Sequence, residues 1–593
     1  MNFYATFSIP FIVGVVTMFV VLIVKYGSWI FGLSAADRMR IVKGIPSRQT
    51  PLAVWEVVRE SLLHRRIFKV NPLLGYMHMS LAFGWFLLIV VGWIETVAYL
   101  GFRYVPLHGH VFFKYFATEL PHKPVFDFLM DLLLLFVLSG VTLAFGKRIY
   151  SQAMGMRRTT RHVLGDRIAL SVLWLIFPAR LLAESITCAL HGGGGFLTGT
   201  IGEWMAHHVN PIVLQTLYEP LWWAYSICLG LFFIVLPFSR YMHIFTEIPL
   251  IFLRRYKLHS TEKEGSFDRF QTDACSRCGI CIDPCQLQSE LGIDDVQSVY
   301  FLRDRRYNHL RQSVANNCLM CGRCEQRCPV GIELNTLRLN SRDTMRNTPD
   351  EKRYEYFQGV DRSAGEGRVG YFAGCMTLLT PRILLAMERI FKASGEEVWW
   401  ADREGGVCCG RPLKLAGETD SAHKMMRYNE ELFRKHGITT LVTSCPICLK
   451  VFREDYALDG IEVLHHSEYI LRLMRAGRLQ VKHGATRYTY HDPCELGRGS
   501  GIYDEPRAVI EAVGELLEPA QTRENALCCG SSVANLAISD GQQLQIARSV
   551  TGELEATGAE VIVTACPLCK KALVRGTRHE VKDLAEVVAA SMQ

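Results

Sequence analysis

Cysteines in two regular patterns are the residues of this sequence with the clearest chemistry. The chain has 20 cysteines, of which 18 follow residue 270, and two groups of four share the spacing C-x2-C-x2-C-x3-C. Three thiolates at that spacing wrap one cubane cluster, and the fourth reaches across to a second cluster. We therefore predict two cubane [4Fe–4S] clusters. The first would be bound by Cys275, Cys278, Cys281 and Cys328, and the second by Cys318, Cys321, Cys324 and Cys285.

Zinc and disulfide bonds are the alternatives to this prediction. A zinc site pairs two C-x2-C hooks and has no use for a third hook in succession. Disulfides do not persist in a reducing cytoplasm. One departure from the usual cluster motif is Gln286, which follows Cys285 where a proline is common.

The remaining ten clustered cysteines form an internal repeat beyond residue 365. Each repeat has a single cysteine, a Cys-Cys-Gly sequence and a Cys-Pro-x-Cys pair, and equivalent cysteines are 119, 120 and 121 residues apart. Such a regular offset indicates two copies of one structural unit. The first copy contains Cys375, Cys408, Cys409, Cys445 and Cys448, and the second contains Cys494, Cys528, Cys529, Cys566 and Cys569.

Buried strands are predicted to position the last two cysteines of each copy. A β-branched run precedes each pair, in residues 438–448 and 559–569. Each run predicts a strand that ends at a strand–helix turn, where backbone N–H groups and the helix N-terminus favour a thiolate. Residues 368–375 and 396–400 also predict strands, and residues 421–437 predict a helix. We expect a small α/β unit with its cysteines at one sheet edge.

The repeat resembles the CCG-domain family found in the catalytic subunit of heterodisulfide reductase. The matching segments are residues 370–382, 408–412, 444–448, 490–498, 528–532 and 565–569. In that family, five-cysteine motifs hold noncubane [4Fe–4S] clusters that attack a disulfide directly. Because all ten cysteines are present here, the resemblance implies two noncubane clusters, with these cysteines as the catalytic residues.

Five apolar stretches precede the cysteine-rich part and predict membrane-spanning helices, each having about 20 or more apolar residues. They cover residues 9–31, 73–98, 125–146, 167–190 and 212–238. The first is too long for a cleaved signal peptide and lacks a basic segment before it. Lys and Arg are concentrated in the loops after the first and third stretches, which predicts an N-terminus outside and all residues after Arg240 in the cytoplasm. We expect a multi-pass protein of a bacterial or archaeal cytoplasmic membrane.

Two histidines are predicted to lie at one depth of this bundle. His78 is about one turn into the second stretch, and His243 follows the fifth. Facing imidazoles at one depth suit axial ligation of a haem iron. The alternative is two separate interfacial histidines that bond to backbone or lipid.

The same stretches resemble the nitrate reductase gamma-subunit cytochrome b family, in residues 75–86 and 236–255. In that family two histidines on each helix bind two haems. His78 and His243 match the ligands of one haem, whereas Leu88 and Tyr225 stand where the ligands of the second would be. The resemblance therefore implies one haem b, near the cytoplasmic face.

Charged residues inside the bundle suggest a quinone or proton site. Arg180 and Glu184 are four residues apart on one helix and so share a face, as do Asp127 and Asp131. Such residues could exchange protons with a quinone headgroup, with His64 as a further candidate. The alternative is an ion pair that fixes helix packing.

The composition supports this plan of a membrane part joined to a redox part. With 593 residues, 49% apolar and 21% charged residues, the chain is neither disordered nor a single small domain, and its net charge of +7 gives no indication of nucleic-acid binding. We predict a cytochrome b-like bundle (1–245), a linker (246–270), an α-helical dicluster ferredoxin domain (271–350) and two CCG units (365–480 and 485–593). We find no G-x-G-x-x-G sequence that opens a βαβ unit and no Walker A sequence, so any flavin would arrive with a partner protein.

This order of domains resembles the membrane-bound heterodisulfide reductase-like Fe–S oxidoreductases. That group includes fused proteins that link electron-transfer flavoprotein to menaquinone, and the DsrM and DsrK subunits of the sulfite-reduction membrane complex. The resemblance implies electron transfer between a cytoplasmic partner, with electron-transfer flavoprotein favoured, and menaquinone or another quinone. The alternatives are a disulfide reductase and an electron-transfer subunit of a larger complex. With one haem on the cytoplasmic side, we expect little direct charge separation.

Overall fold

The computed structural model describes residues 3–154, 156, 160–261, 264–346, 361–405, 407–535 and 537–593. Within these ranges the chain forms two compact units. The first contains residues 1–259, 265–280 and 329–332, and the second contains residues 260–264, 281–328 and 333–593. Residues 347–350 of the predicted ferredoxin domain and residues 262–263 of the predicted linker lie outside the described residues.

The first unit is helical in its described part. Its α-helices, in chain order, are α1 (Ile9–Phe31), α2 (Ala35–Gly44), α3 (Gln49–Val57), α4 (Arg65–Val70), α5 (Pro72–Leu100), α6 (Leu107–Val111), α7 (Phe113–Phe116), α8 (Pro124–Ile149), α9 (Leu164–His191), α10 (Thr198–His208), α11 (Pro211–Val235), α12 (His243–Arg255) and α13 (Ser266–Asp273).

The five predicted spans are confirmed as helices. Among the residues that the structure describes, α1, α5, α8, α9 and α11 are long and apolar enough to cross a membrane. Four of them have a proline in the first turn, at Pro10, Pro72, Pro124 and Pro211, where a missing N–H costs nothing. Helices α1 and α11 approach closely, since a Cβ added to Gly14 would lie 2.5 Å from the carbonyl oxygen of Gly230.

The segment predicted as a linker differs from that expectation. Helix α12 continues to Arg255 and helix α13 occupies Ser266–Asp273, so much of residues 246–270 is helical. Helix α13 buries polar as well as apolar side chains, since Asp268, Gln271, Thr272 and Asp273 are buried together with Phe267 and Phe270. Phe270 stacks on Tyr26 of α1 at a centroid distance of 5.9 Å, which ties α13 to the bundle.

The ferredoxin-like region of the second unit consists of short helices and loops. These helices are α14 (Gln286–Ser289), α15 (Ser298–Arg306), α16 (Gln312–Asn316), α17 (Arg323–Gln326) and α18 (Leu334–Thr344). Arg338 of α18 is fully buried and donates to the carbonyl oxygens of Val314 and Val296. Backbone groups of the loops are thus paired by side chains where regular secondary structure is lacking.

The strands of the second unit, as far as it is described, form two four-stranded parallel sheets. The first sheet has the order β2-β1-β3-β4 and the second has the order β6-β5-β7-β8. The elements of the first are β1 (Val369–Phe372), α19 (Cys375–Leu378), α20 (Pro381–Ala393), β2 (Val398–Trp400), α21 (Arg411–Leu415), α22 (Thr419–Lys435), β3 (Thr440–Thr443), α23 (Pro446–Glu454), β4 (Glu462–His465) and α24 (His466–Arg475).

The second sheet repeats this order with matching lengths. Its elements are β5 (Arg487–His491), α25 (Gly497–Ser500), α26 (Asp504–Val513), β6 (Glu515–Leu517), α27 (Asp540–Glu555), β7 (Val561–Thr564), α28 (Pro567–Gly576), β8 (Glu580–Asp583) and α29 (Leu584–Ser591). The strands predicted from residues 368–375, 396–400, 438–448 and 559–569 correspond to β1, β2, β3 and β7. In each sheet the central strands end at cysteine-bearing turns.

The two predicted α/β units pack against each other through one hydrophobic core. One shared core contains Tyr371, Met387 and Ile470 from the first repeat together with Tyr490 and Ile510 from the second. Helix α20 packs on α29, and α24 packs on α26. The described residues of both repeats therefore bury their apolar faces against each other.

Candidate redox centres

The predicted second cubane set comes together in the second unit. Electrostatic interactions connect Cys285 with Cys318 and Cys321, and connect Cys324 with all three. The Ser298 hydroxyl lies 3.2 Å from the Cys324 sulfur. Burial raises the pKa of the Cys285 thiol to about 11. A thiol from the first motif thus joins three thiols of the second motif, which is the crossed arrangement that the spacing predicts.

The predicted first cubane set is divided between the two units. Cys275 and Cys278 belong to the first unit, and Cys281 and Cys328 belong to the second. Within the first unit, Arg240 donates to the carbonyl oxygen of Ser276 at 2.7 Å, and Lys147 donates to that of Cys278 at 3.1 Å. These hydrogen bonds hold the backbone of the loop that carries Cys275 and Cys278.

The first repeat gathers its five thiols into one site. Hydrogen bonds between thiols connect them in the order Cys375, Cys408, Cys409, Cys448 and Cys445. The adjacent pair of cysteines lies in the middle of this order, between the single cysteine and the Cys-Pro-x-Cys pair. Such a set supplies one sulfur more than a cubane cluster requires.

A glycine turn and a buried carboxylate fix the position of Cys375. Gly374 has φ +81° and ψ 154°, a conformation that is open almost only to glycine. A Cβ at Gly374 would also lie 3.0 Å from the sulfur of Cys448. Asp402 accepts hydrogen bonds from the backbone N–H groups of Ala373 at 3.0 Å and Gly374 at 2.7 Å. Asp402 therefore holds the turn at Gly374, where the backbone passes close to the sulfur of Cys448.

The second repeat gathers the equivalent five thiols. Hydrogen bonds connect them in the order Cys494, Cys528, Cys529, Cys569 and Cys566. Contact with the thiols of Cys528 and Cys569 lowers the pKa of Cys529, the central member of the set. Because the order of contacts is the same as in the first repeat, both repeats offer the same arrangement of sulfur.

The second repeat also adjoins the second cubane set. The Cys528 thiol donates a hydrogen bond to the Cys321 sulfur and lowers the pKa of Cys321. Gln286 fastens the two loops: its Nε2 donates to the carbonyl oxygen of Cys528 at 3.0 Å, and its Oε1 accepts from the Cys528 N–H at 2.7 Å. Gln286, which follows Cys285 where a proline is common, thus links the loops of two predicted cluster sites.

Replacing Gln286 by leucine should break the hydrogen bonds that link these two loops. The substitution leaves the buried N–H and C=O of Cys528 without partners, and each such group costs about 1–3 kcal/mol. We expect a lower Tm, and a smaller iron–sulfur signal from the second repeat in electron paramagnetic resonance spectra. The matched control is Gln312→Leu, since Gln312 is an exposed glutamine at the start of α16. Equal Tm and spectra for the two variants would show that Gln286 has no such role.

The two five-thiol sites adjoin each other but differ in exposure. Cys445 of the first site interacts electrostatically with Cys566 of the second. Among the cysteines, all of which the structure describes, Cys375 is the one that is exposed, whereas the corresponding Cys494 is partly buried. The second site therefore adjoins the ferredoxin-like region, and the first site reaches the surface.

Three histidines line one cavity of about 320 Å³ in the first unit. His78 is partly buried there, and its buried Nε2 atom has no hydrogen-bond partner among the described residues. His243 donates from Nδ1 to the carbonyl oxygen of Arg240 at 2.7 Å, which fixes the tautomer whose Nε2 carries the lone pair. His64, which we predicted as a proton-site residue, stacks on His78 with ring centroids 5.6 Å apart. A metal-binding imidazole pair therefore has three candidate members.

A carboxyl group lines the same cavity. Glu247 of α12 is buried, and burial raises its pKa to about 7. Such a group exchanges a proton readily near neutral pH. The histidine cavity thus combines imidazole ligands with a proton donor.

The other predicted proton-site residues line a different cavity, of about 370 Å³. Arg180 and Glu184 form an ion pair at 2.9 Å. Asp131 accepts hydrogen bonds from the backbone of Leu197 and Thr198, and so holds the start of α10. These three residues therefore lie apart from His64, which lines the other cavity together with His78 and His243.

The sequence analysis missed the roles of four residues at these sites, namely Glu95, Glu247, Gln286 and Asp402. Glu95 of α5 lines the Arg180 cavity, and it lies about 25 Å from His78 along the helix at 1.5 Å per residue. A single glutamate in an apolar helix was a signal that could have found it. Gln286 and Asp402 act on backbone groups of other segments, so no local pattern marks these two roles.

Comparison with protein families matches both cysteine-rich parts of the chain. A cysteine-rich domain model matches residues 369–453 and 488–574, and a 4Fe-4S dicluster domain model matches residues 271–332. These matches cover the two repeats and the paired C-x2-C-x2-C-x3-C motifs. They support [4Fe–4S] clusters in both regions.

Three curated relatives have the names of oxidoreductases. An EtfAB:quinone oxidoreductase of Syntrophomonas wolfei is 22% identical over 97% of this chain and 96% of its own length. A component of the dihydromethanophenazine:CoB–CoM heterodisulfide reductase of Methanosarcina mazei is 26% identical over 56% of this chain and 80% of its own length. A component of the fumarate reductase (CoM/CoB) of Methanothermobacter marburgensis is 26% identical over 50% of this chain and 66% of its own length.

Proposed function

We propose that this chain, a heterodisulfide reductase-like iron–sulfur oxidoreductase with membrane helices, passes electrons between a soluble donor protein and the membrane quinone pool. The favoured donor is electron-transfer flavoprotein, and the acceptor is menaquinone or another quinone. Support comes from similarity along nearly the whole chain to a relative named for the EtfAB and quinone pair.

One observation carries this proposal: sulfur sites adjoin one another from the ferredoxin-like region to the surface. Cys321 contacts Cys528, Cys566 interacts with Cys445, and Cys375 is exposed. A protein that only anchored a ferredoxin to the membrane would not need a series of sulfur sites that leads from the ferredoxin-like region to the surface. The arrangement is that of an electron path with an external partner.

Three of the four predicted cysteine sets come together within the second unit. The proposal assigns two cubane clusters to the ferredoxin-like motifs and two noncubane clusters to the repeats, and bound clusters would supply one-electron transfer. The protein's part is to hold the ligands: Asp402 fixes the turn at Cys375, and Gln286 joins two ligand loops. Iron and acid-labile sulfide far below four clusters' worth in anaerobically purified protein would contradict this assignment.

The histidine cavity fits one haem b, because it holds a buried imidazole nitrogen without a partner among the described residues. We propose His78 and His243 as the axial ligands, as the resemblance to the cytochrome b family implies. His64 is the competing partner of His78, given the stacking of their rings. His243→Leu should abolish the b-type absorption spectrum, whereas His64→Leu should retain it with a shifted potential.

We place the quinone headgroup at the end of the bundle that contains His64 and Glu247. Reduction of a quinone takes up two protons, and Glu247 can release one near neutral pH. Arg180, Glu184 and Asp131 instead satisfy one another or a helix start, which favours the packing role. With N-terminus outside and Fe–S domains in the cytoplasm, this placement keeps electrons on one side of the membrane.

A membrane-potential assay in sealed vesicles tests that placement. Turnover should generate little potential if the quinone reacts at the His64 end. Strong electrogenic turnover by this chain alone would favour the Arg180 cavity, because electrons would then travel about 25 Å along α5.

The decisive test of the function mixes purified protein with reduced electron-transfer flavoprotein and a quinone analogue. The expected result is reduction of the b-type haem followed by reduction of the quinone. Reduction of the haem by a dithiol but not by the flavoprotein would favour a disulfide reductase instead.

A further inference from the structure

Exposed apolar side chains are rare in the second unit and are concentrated near one cysteine. Within the described part of that unit, the exposed large apolar residues are Leu379 (64% exposed), Leu385 (60%) and Val574 (51%). Leu379 follows directly on α19, the short helix that begins with Cys375. Leu385 lies in α20, which packs on α19, and Val574 lies in α28, which also packs on α19.

The exposed cysteine is thus set among the exposed apolar residues of its unit. Large apolar side chains are normally scattered singly over a protein surface, and a group beside a functional site marks an interaction surface. Cys375 belongs to the five-thiol site that reaches the surface. An approaching protein would find its shortest route to that site here.

Basic residues surround this group. Arg382 is exposed three residues before Leu385, and Lys571 and Arg575 are exposed on either side of Val574. The acidic residue Glu388 of α20 is paired with Arg403 at 3.0 Å. The rim therefore carries positive charge, which attracts an acidic surface and speeds its approach.

We propose that Cys375, Leu379, Leu385 and Val574, with their rim of Arg382, Lys571 and Arg575, form the docking face for a soluble redox protein. The matching partner surface has an apolar centre and acidic residues around it. A small apolar centre with a charged rim is suited to a short-lived electron-transfer complex. This inference rests on the proposed function and specifies where the donor binds.

The experiment measures the rate at which reduced electron-transfer flavoprotein reduces the full-length protein. One electron leaves the flavoprotein and one iron–sulfur site of the chain gains it. For the double variant Leu379→Glu and Leu385→Glu we expect at least a tenfold lower second-order rate constant. The two added negative charges would lie in the apolar centre and would repel the acidic surface of the partner. The wild-type rate should fall as salt is added, because salt screens the basic rim.

Two controls make the result specific. Reduction by dithionite, which needs no docking face, should proceed at the same rate in wild type and double variant. Gln312→Glu adds a negative charge at an exposed position on α16 and should leave the flavoprotein rate unchanged. Val574→Glu, on a different helix, repeats the test if the double variant loses iron.

The outcomes separate the two proposals. If the flavoprotein does not reduce wild type although dithionite does, the proposed function is wrong. If it reduces wild type, and both the double variant and Val574→Glu react at the wild-type rate, the docking face is wrong and the proposed function stands.

Discussion

Replacing Cys528 by serine should lower the rate of quinone reduction by the soluble donor by about 100-fold or more. Cys528 belongs to the five-thiol site of the second repeat, and its thiol also contacts Cys321 of the second cubane set. Changes in the surroundings of a metal site already cost about 10–100-fold, and loss of a ligand at the junction of two sites should cost at least as much. Stopped-flow spectroscopy of haem reduction after mixing with reduced donor measures the effect.

The matched control for this variant is Cys228→Ser. Cys228 lies in α11 and belongs to neither the repeats nor the ferredoxin-like motifs. It should keep the wild-type rate and the full iron content. If Cys528→Ser also kept both, the contact between Cys528 and Cys321 would not be part of the electron path.

Replacing His78 by leucine should remove the b-type absorption spectrum entirely. The buried Nε2 of His78 lacks a partner in the part of the chain that the structure describes, and leucine offers no metal ligand. The iron–sulfur content of the second unit should be retained, because the described lining of the histidine cavity includes no cysteine. Quinone reduction should fall by about 100-fold or more. Difference spectra of dithionite-reduced minus oxidised membranes, with iron and sulfide analysis, provide the measurement.

An exposed histidine controls for the loss of an imidazole from the bundle. His207→Leu changes the same residue type in α10 and should leave the b-type spectrum intact. A normal b-type spectrum in His78→Leu would mean that His64 and His243 hold the haem, or that the haem lies elsewhere.

Much of the fold was predictable because its elements are set by local sequence. Helices α5 and α11 are continuous apolar runs with proline at the first turn, and strands β3 and β7 are β-branched runs that end at Cys-Pro turns. Both patterns act within one element, so a single sequence contains them. Helix α13 was missed because its composition is polar, although Gln271 and Asp273 are buried there as well as Phe270.

The cysteine sites were predictable as groups, but their mutual arrangement was not. Spacing indicates which thiols share a cluster, and Cys285 indeed lies with Cys318, Cys321 and Cys324. That Cys321 adjoins Cys528 depends on the packing of segments that are far apart in the sequence, which spacing does not encode. The role of Gln286 follows from that packing. In the sequence, Gln286 was notable only because it stands where a proline is common.

The position of His64 beside His78 could not be predicted, because it depends on an unusual backbone conformation. Its φ of +52° is unusual for a residue with a side chain, and it turns the chain between a π-helical segment and α4. Sequence patterns treat this stretch as an ordinary loop. The turn brings the imidazole against His78, although His64 precedes α4 and His78 lies within α5.

Because the two repeats share one hydrophobic interior, neither repeat should fold as a separate fragment. Tyr371 and Ile470 pack with residues that follow position 485, and Val481 pairs with Met592 near the end of the chain. A fragment that ends at residue 480 would leave these side chains in water and should aggregate rather than fold. The repeats should melt in one cooperative transition, so that damage to either iron site destabilises both.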